Sequence, residues 1–107
     1  MLQKGGISIN RRDAEGQTAL IYATKGSNTE IVKQILDFPF YANPNMADSD
    51  QNTCLLYACA VENSEIVETL LQKGAYYGIK NKDKMTPEDM ATNDKIIEAI
   101  KLHKYHI

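Results

Sequence analysis

Asp13-Ala14-Glu15-Gly16-Gln17-Thr18-Ala19-Leu20-Ile21-Tyr22-Ala23 recurs as Asp48-Ser49-Asp50-Gln51-Asn52-Thr53-Cys54-Leu55-Leu56-Tyr57-Ala58. A weaker third copy runs Asn81-Lys82-Asp83-Lys84-Met85-Thr86-Pro87-Glu88-Asp89-Met90-Ala91. Thr18 to Thr53 spans 35 positions and Thr53 to Thr86 spans 33. Downstream, Glu30-Ile31-Val32-Lys33-Gln34-Ile35-Leu36 matches Glu65-Ile66-Val67-Glu68-Thr69-Leu70-Leu71 and, more loosely, Lys95-Ile96-Ile97-Glu98-Ala99-Ile100-Lys101. Apolar residues four apart form one stripe on a helix. Each unit therefore reads as a short helix, a tight turn, a second helix and an extended loop. The spacing predicts first helices near 17–25, 52–61 and 86–92, and second helices near 29–38, 64–73 and 94–104. No segment alternates long enough to make a buried strand. In Leu71-Gln72-Lys73-Gly74-Ala75 the glycine can end a helix in the left-handed conformation. Leu2-Gln3-Lys4-Gly5-Gly6 looks like the same element of a unit that is mostly missing.

These residues resemble the ankyrin repeat family, whose period is about 33 residues and whose signature is Thr-Pro-Leu-His-x-Ala. The matching stretches are Thr18-Ala19-Leu20-Ile21-Tyr22-Ala23, Thr53-Cys54-Leu55-Leu56-Tyr57-Ala58 and Thr86-Pro87-Glu88-Asp89-Met90-Ala91. Proline appears only as Pro87, and the signature histidine is replaced by Ile21, Leu56 and Asp89. In the family that histidine helps tie one turn to its neighbour. The resemblance therefore implies less rigid turns here, with apolar contact in place of the tie. It implies an all-α helix–turn–helix repeat stack, an α-solenoid with short extended loops. The organisation is a single domain over 1–107: a partial repeat at 1–12, repeats at 13–47 and 48–80, and a C-terminal capping repeat at 81–107.

The departures from the period are informative. The first unit exceeds the period by two residues, and the excess falls in Phe38-Pro39-Phe40-Tyr41-Ala42-Asn43-Pro44-Asn45, where two prolines stop any helix. The third unit is three residues short between Ala91 and Ile96, which predicts a tight turn with Asn93 as N-cap of the last helix. Glu88-Asp89 stands where the other copies have Leu20-Ile21 and Leu55-Leu56, and Lys101 stands where they have Leu36 and Leu71. Terminal repeats need such a polar outer side. No comparable cap precedes the first unit. Either the chain is cut from a longer array, leaving an end through which copies could self-associate, or Ile7 and Ile9 fold over it.

Composition narrows the function. With 12 basic and 14 acidic side chains in 107 residues there is no electrostatic case for nucleic acid. No apolar run approaches the length of a membrane span, roughly 20 residues, and Met1–Asn10 is not a signal peptide. An intracellular, cytoplasmic protein is the expectation. Cys54 and Cys59 lie five apart on one helix and so point apart; two small buried thiols are expected, not a disulfide or a metal site. Asp13, Asp48, Glu30 and Glu65 recur with the period, which argues for structural roles, the glutamates complementing helix dipoles. His103 and His106 read as frayed surface residues. No phosphate-binding motif, catalytic arrangement or cofactor site is present in the sequence, so no enzyme is expected.

The resemblance implies a protein–protein interaction module that meets its partner through turn tips and the concave first-helix face. Carried over, the tips are Ala14, Glu15 and Gln17, then Ser49, Asp50 and Asn52, then Lys82, Asp83 and Met85. The helix positions are Tyr22 and Lys25, with Tyr57, Ala60 and Val61. The first two tips are acidic or neutral, which suits another protein with a basic patch. Tip residues are expected to be free of packing duty. The second helices are expected to bury Ile31, Val32, Ile35 and Leu36, or Ile66, Val67, Leu70 and Leu71, and to turn Lys33, Glu68 and Gln72 outward. Tyr22 and Tyr57 would stand side by side, either packed between first helices or partly exposed to a partner. The alternative function is a regulatory or targeting segment of a larger protein whose activity lies elsewhere.

Overall fold

The computed structural model describes residues 8–105. The partial element Leu2–Gly6, together with Ile7 and His106, lies outside the described residues. Within them the regular structure is helical: α1 (Ala19–Lys25), α2 (Thr29–Leu36), α3 (Cys54–Ala60), α4 (Ser64–Gln72), α5 (Pro87–Met90) and α6 (Asp94–Tyr105). No strand occurs among the described residues. No helix among them is long and apolar enough to cross a membrane.

Side-chain caps set where the helices begin. Thr18 Oγ1 accepts from the Ile21 N–H at 3.2 Å. Asn28 Oδ1 accepts from Ile31 at 3.3 Å, and Asn63 Oδ1 from Ile66 at 3.1 Å. Thr86 and Asp89 form a reciprocal capping box around Pro87, the residue type best suited to a first helical position. Asn93 Oδ1 accepts from the Lys95 N–H at 2.8 Å, as its place in the shortened turn predicts. Thr53 holds the equivalent position before α3 but makes no such bond, and its buried hydroxyl has no partner. α2 stops just before Phe38-Pro39, and Gly74 follows α4 at φ +94°, where a side chain would be strained.

Six helices pack as two rows. α3 lies between α1 and α5, and α4 lies between α2 and α6. Within the first two units the rows are joined by α1 on α2 and α3 on α4. The core runs along the stack through Leu20, Ile21, Val32, Leu55, Leu56, Ile66, Val67, Leu70, Ile96 and Ile100, all buried. Ile66, Val67, Leu70 and Leu71 are buried, as expected of a second helix. Ile31 is not: it is 40% exposed, and Ile35 is only half-buried. The reason is that nothing among the described residues lies on that side of α2 as α2 lies on α4. On the third hairpin Asp89 and Lys101 are exposed, and half-buried Glu88 accepts an ion pair from Lys104 at 3.1 Å. His103 is not frayed: its ring meets Tyr77 edge-on at 5.9 Å. Cys54 and Cys59 are free thiols sealed in the core, where burial pushes both up to about 12.

Candidate functional site

Each first helix is preceded by a finger built on one Asp or Asn. Asp13 Oδ1 accepts from the N–H groups of Glu15 and Gln17, both at 2.9 Å. Asp48 Oδ1 does the same for Asp50 and Asn52, at 2.9 and 3.0 Å. Asn81 Oδ1 serves Asp83 and Met85, at 2.9 and 3.1 Å. Main-chain bonds between Asp13 and Gln17, Asp48 and Asn52, and Asn81 and Met85 close the fingers at 3.0–3.1 Å. The fourth finger residue has positive φ in every copy: Gly16, Gln51 and Lys84. Glycine is needed at the first of these for a further reason. A Cβ on Gly16 would come within 3.0 Å of the Ser49 main-chain nitrogen.

The fingers are laced together. The Ser49 N–H donates to the Glu15 carbonyl at 3.0 Å, and the Lys82 N–H to the Asp50 carbonyl at 3.1 Å. Gln17 Nε2 donates to Asp48 Oδ2 at 3.3 Å, and Asn81 Nδ2 to Asn52 Oδ1 at 2.9 Å. These bonds overturn the expectation that tip residues carry no packing duty. Gln17 in particular is buried, because its amide bridges two fingers. Ser49 donates its hydroxyl to the Glu15 carbonyl at 2.8 Å, and Lys82 pairs with Asp50 at 3.0 Å. Asn52, Tyr57 and Met85 are half-buried. Ala14, Glu15, Ser49, Asp50, Lys82 and Asp83 are exposed on the tips, and Tyr22, Lys25, Ala60 and Val61 are exposed on the first helices.

The loss of the signature histidine does not leave the turns untied. The Tyr22 hydroxyl donates to the Asp13 carboxylate, and the Tyr57 hydroxyl to the Asp48 carboxylate. Each tyrosine thus pins its helix to the finger nine residues earlier. The repeating Asp-to-Tyr spacing was the signal for this, and the third copy lacks it, having Asn81 and Met90 at those places. The pins shift the acidity of the groups they join. The hydrogen bond from Tyr22 is the main reason Asp13 lies below its ordinary 3.8. Burial pushes Asp48 upward, but the bonds from Tyr57, Asn52, Asp50 and Gln17 outweigh it and leave the group below 3.8. Burial and the bond to Asp48 carry Tyr57 up to about 12, so its hydroxyl stays a donor.

Both readings of the tyrosine pair are therefore partly met. Tyr22 is 51% exposed while Tyr57 is half-buried against the core. Lys25 stands with them: its Nζ lies 5.2 Å from the Tyr57 ring centroid and 6.0 Å from that of Tyr22. The same Nζ donates to Gln17 Oε1 at 3.3 Å. An open groove of about 580 Å³ continues alongside, past Tyr22, Ala14, Arg11, Arg12 and Ile9. What this face offers chemically is a fixed set of acceptors and aromatic surfaces. Asp13 and Asp48 are committed to their fingers, and the thiols are protonated and buried, whereas a nucleophile needs an accessible thiolate.

The family model described as ankyrin repeats (3 copies) matches residues 1–83. Among solved structures the chain is similar to the ankyrin repeat domain of Bcl-3, described as a unique member of the IkappaB protein family. The two are 26% identical with a TM-score of 0.85, over 94% of this chain and 43% of that one. The chain thus spans less than half of that structure's length. No curated protein matches the sequence. A periodic finger, a paired helix and a family match that covers most of the sequence agree, and the chain belongs to the ankyrin repeat family.

Proposed function

We propose that this chain is a protein-interaction module whose partner meets the finger tips and the concave first-helix face. Ankyrin repeats generally serve as protein-interaction modules. The observation that carries the reading is the rigidity of this particular face. Side chains that project from it, Glu15, Asp50, Tyr22 and Tyr57, stand on fingers and helices already held by hydrogen bonds. Binding through preorganised groups loses less conformational freedom. Exposed acids at Glu15 and Asp50 favour a partner segment with basic residues. The chain is read as non-catalytic, and its free thiols suit the reducing cytoplasm. Copies can also associate through the side of the first hairpin where Ile31 is exposed.

The test compares faces. With a partner captured and purified, affinity is measured for Glu15→Lys, Tyr22→Ala and, as a control on the second-helix side, Glu68→Lys. Tyr22→Ala should weaken binding by roughly thirty-fold, the effect of a hot-spot tyrosine, with circular dichroism confirming the fold. Glu15→Lys should mainly slow association and alter its salt dependence. Loss of binding in Glu68→Lys alone would move the partner to the opposite face.

A further inference from the structure

Lys25 does more than cover a tyrosine. Its ammonium is within reach of two ring faces and of one carbonyl oxygen, in a slot formed where α1, α3 and the first finger meet. The slot is fixed on every side. The Tyr22 ring is held by Asp13 and the Tyr57 ring by Asp48. Gln17 spends its amide nitrogen on Asp48, so its carbonyl oxygen is the end left for Lys25. A phenol that donates to a carboxylate is polarised toward phenolate, which makes its ring face more attractive to a cation. Glu15 and Asp50 add negative potential at Tyr22 and Tyr57 respectively.

The resident cation is held weakly by comparison. The Tyr22 ring is at the outer limit for a cation–π contact, the Tyr57 ring is inside it, and the hydrogen bond to Gln17 is long. Lys25 is exposed, ends its helix and can swing away without disturbing the core. Site and occupant are thus separable: a rigid cation receptor and a displaceable internal cation.

We propose that the slot between Tyr22 and Tyr57 is a receptor for a lysine side chain of a partner's basic segment, and that Lys25 occupies it until the partner displaces it. This rests on the interaction reading above and names the chemistry at its centre. Lys25 then acts as an internal competitor that sets the affinity of the face.

The probe is n-butylammonium chloride, which carries the end of a lysine side chain and nothing else. It is titrated into the full chain while the ring signals of Tyr22 and Tyr57 are followed by NMR, with n-butanol and sodium chloride as matched controls. Lys25→Ala should show saturable shifts at both rings, and the wild-type chain should bind roughly three- to ten-fold more weakly. Lys33→Ala, which removes a lysine from the second-helix side, should match wild type and so separates occupancy from net charge. Adding Tyr57→Leu to Lys25→Ala should abolish the response. If that variant does not fold, Tyr22→Leu, at the more exposed ring, takes its place. Equal binding by wild type and Lys25→Ala, an equal response to n-butanol, or no saturable shift in Lys25→Ala would each overturn the proposal. None of these would touch the wider reading, which fails only if Glu15→Lys and Tyr22→Ala leave partner binding intact.

Discussion

The first and second hairpins carry nearly the same apolar pattern and bury it differently. Ala19, Ala23, Ile31 and Ile35 of the first occupy the places of Cys54, Ala58, Ile66 and Leu70 in the second. All four of the second set are buried, Ile66 completely. Of the first set, Ala19 and Ile31 are exposed and Ala23 and Ile35 half-buried. The difference is the neighbour: α3 and α4 have α1 and α2 on that side. In a repeat stack burial belongs to the interface between units as much as to the unit, so stability is a sum of intrinsic and nearest-neighbour terms.

The largest effect that can test this contrast is at the isoleucines. Ile66→Ala should cost about 2–5 kcal/mol by urea denaturation, the range for a fully buried aliphatic side chain. Ile31→Ala should cost less than about 1.5 kcal/mol, because much of its surface already faces water. Equal losses would mean that the first hairpin is covered in solution, and would remove the basis for association through that side.

A second contrast lies in the finger carboxylates. Asp48 accepts from its own finger, from Tyr57 and from Gln17 of the preceding unit, and its residue is buried; exposed Asp13 has no such upstream donor among the described residues. Asp48→Ala should therefore cost about 1–3 kcal/mol and Asp13→Ala clearly less. Both groups lie below 3.8 in the folded chain. A carboxylate with a depressed folded value contributes stability that is complete above the unfolded value and is lost as pH falls through the folded one. Acid titration of the wild type should thus show destabilisation beginning near pH 4 and deepening below it, and Asp48→Ala should flatten that slope more than Asp13→Ala. A slope unchanged in both variants would place the acid sensitivity elsewhere.

The smallest contrast is between two threonines in the same signature position. Thr18 caps α1, whereas the Thr53 hydroxyl is buried without a partner. Thr18→Val should cost about 0.5–2 kcal/mol, the value of an N-cap. Thr53→Val replaces an unpaired buried hydroxyl by a methyl of similar shape and should be neutral or slightly stabilising. A matching loss at both sites would mean that Thr53 finds a bond in solution.

The helices were legible in the sequence because each satisfies a local rule. The apolar stripes, the prolines after Leu36 and the asparagine before Asp94 put both ends of all six helices within two positions of where they occur. What was not legible depends on contacts between units. Gln17 looks like a polar tip residue, and only the finger of the next unit, which brings Asp48 to it, makes it a buried bridge. Ile31 has the sequence of a core residue and no neighbouring helix on its outer side among the described residues. His103 looked solvent-exposed until the loop carrying Tyr77 was placed beside α6. The tyrosine pins stand between these cases: their spacing repeats in the sequence, but that a hydroxyl reaches back nine residues is a property of the finger's fold.

The two sealed thiols give the stack a built-in record of its own opening. Cys54 and Cys59 sit on α3, between the other two first helices, and at about 12 neither is ionised near neutrality. It is the thiolate that attacks alkylating reagents and peroxides, so the docked helix is chemically silent to both. When α3 separates from its neighbours the thiols regain solvent and ordinary acidity. The rate of their modification then reads how often the middle of the array breathes, without any label having to be introduced.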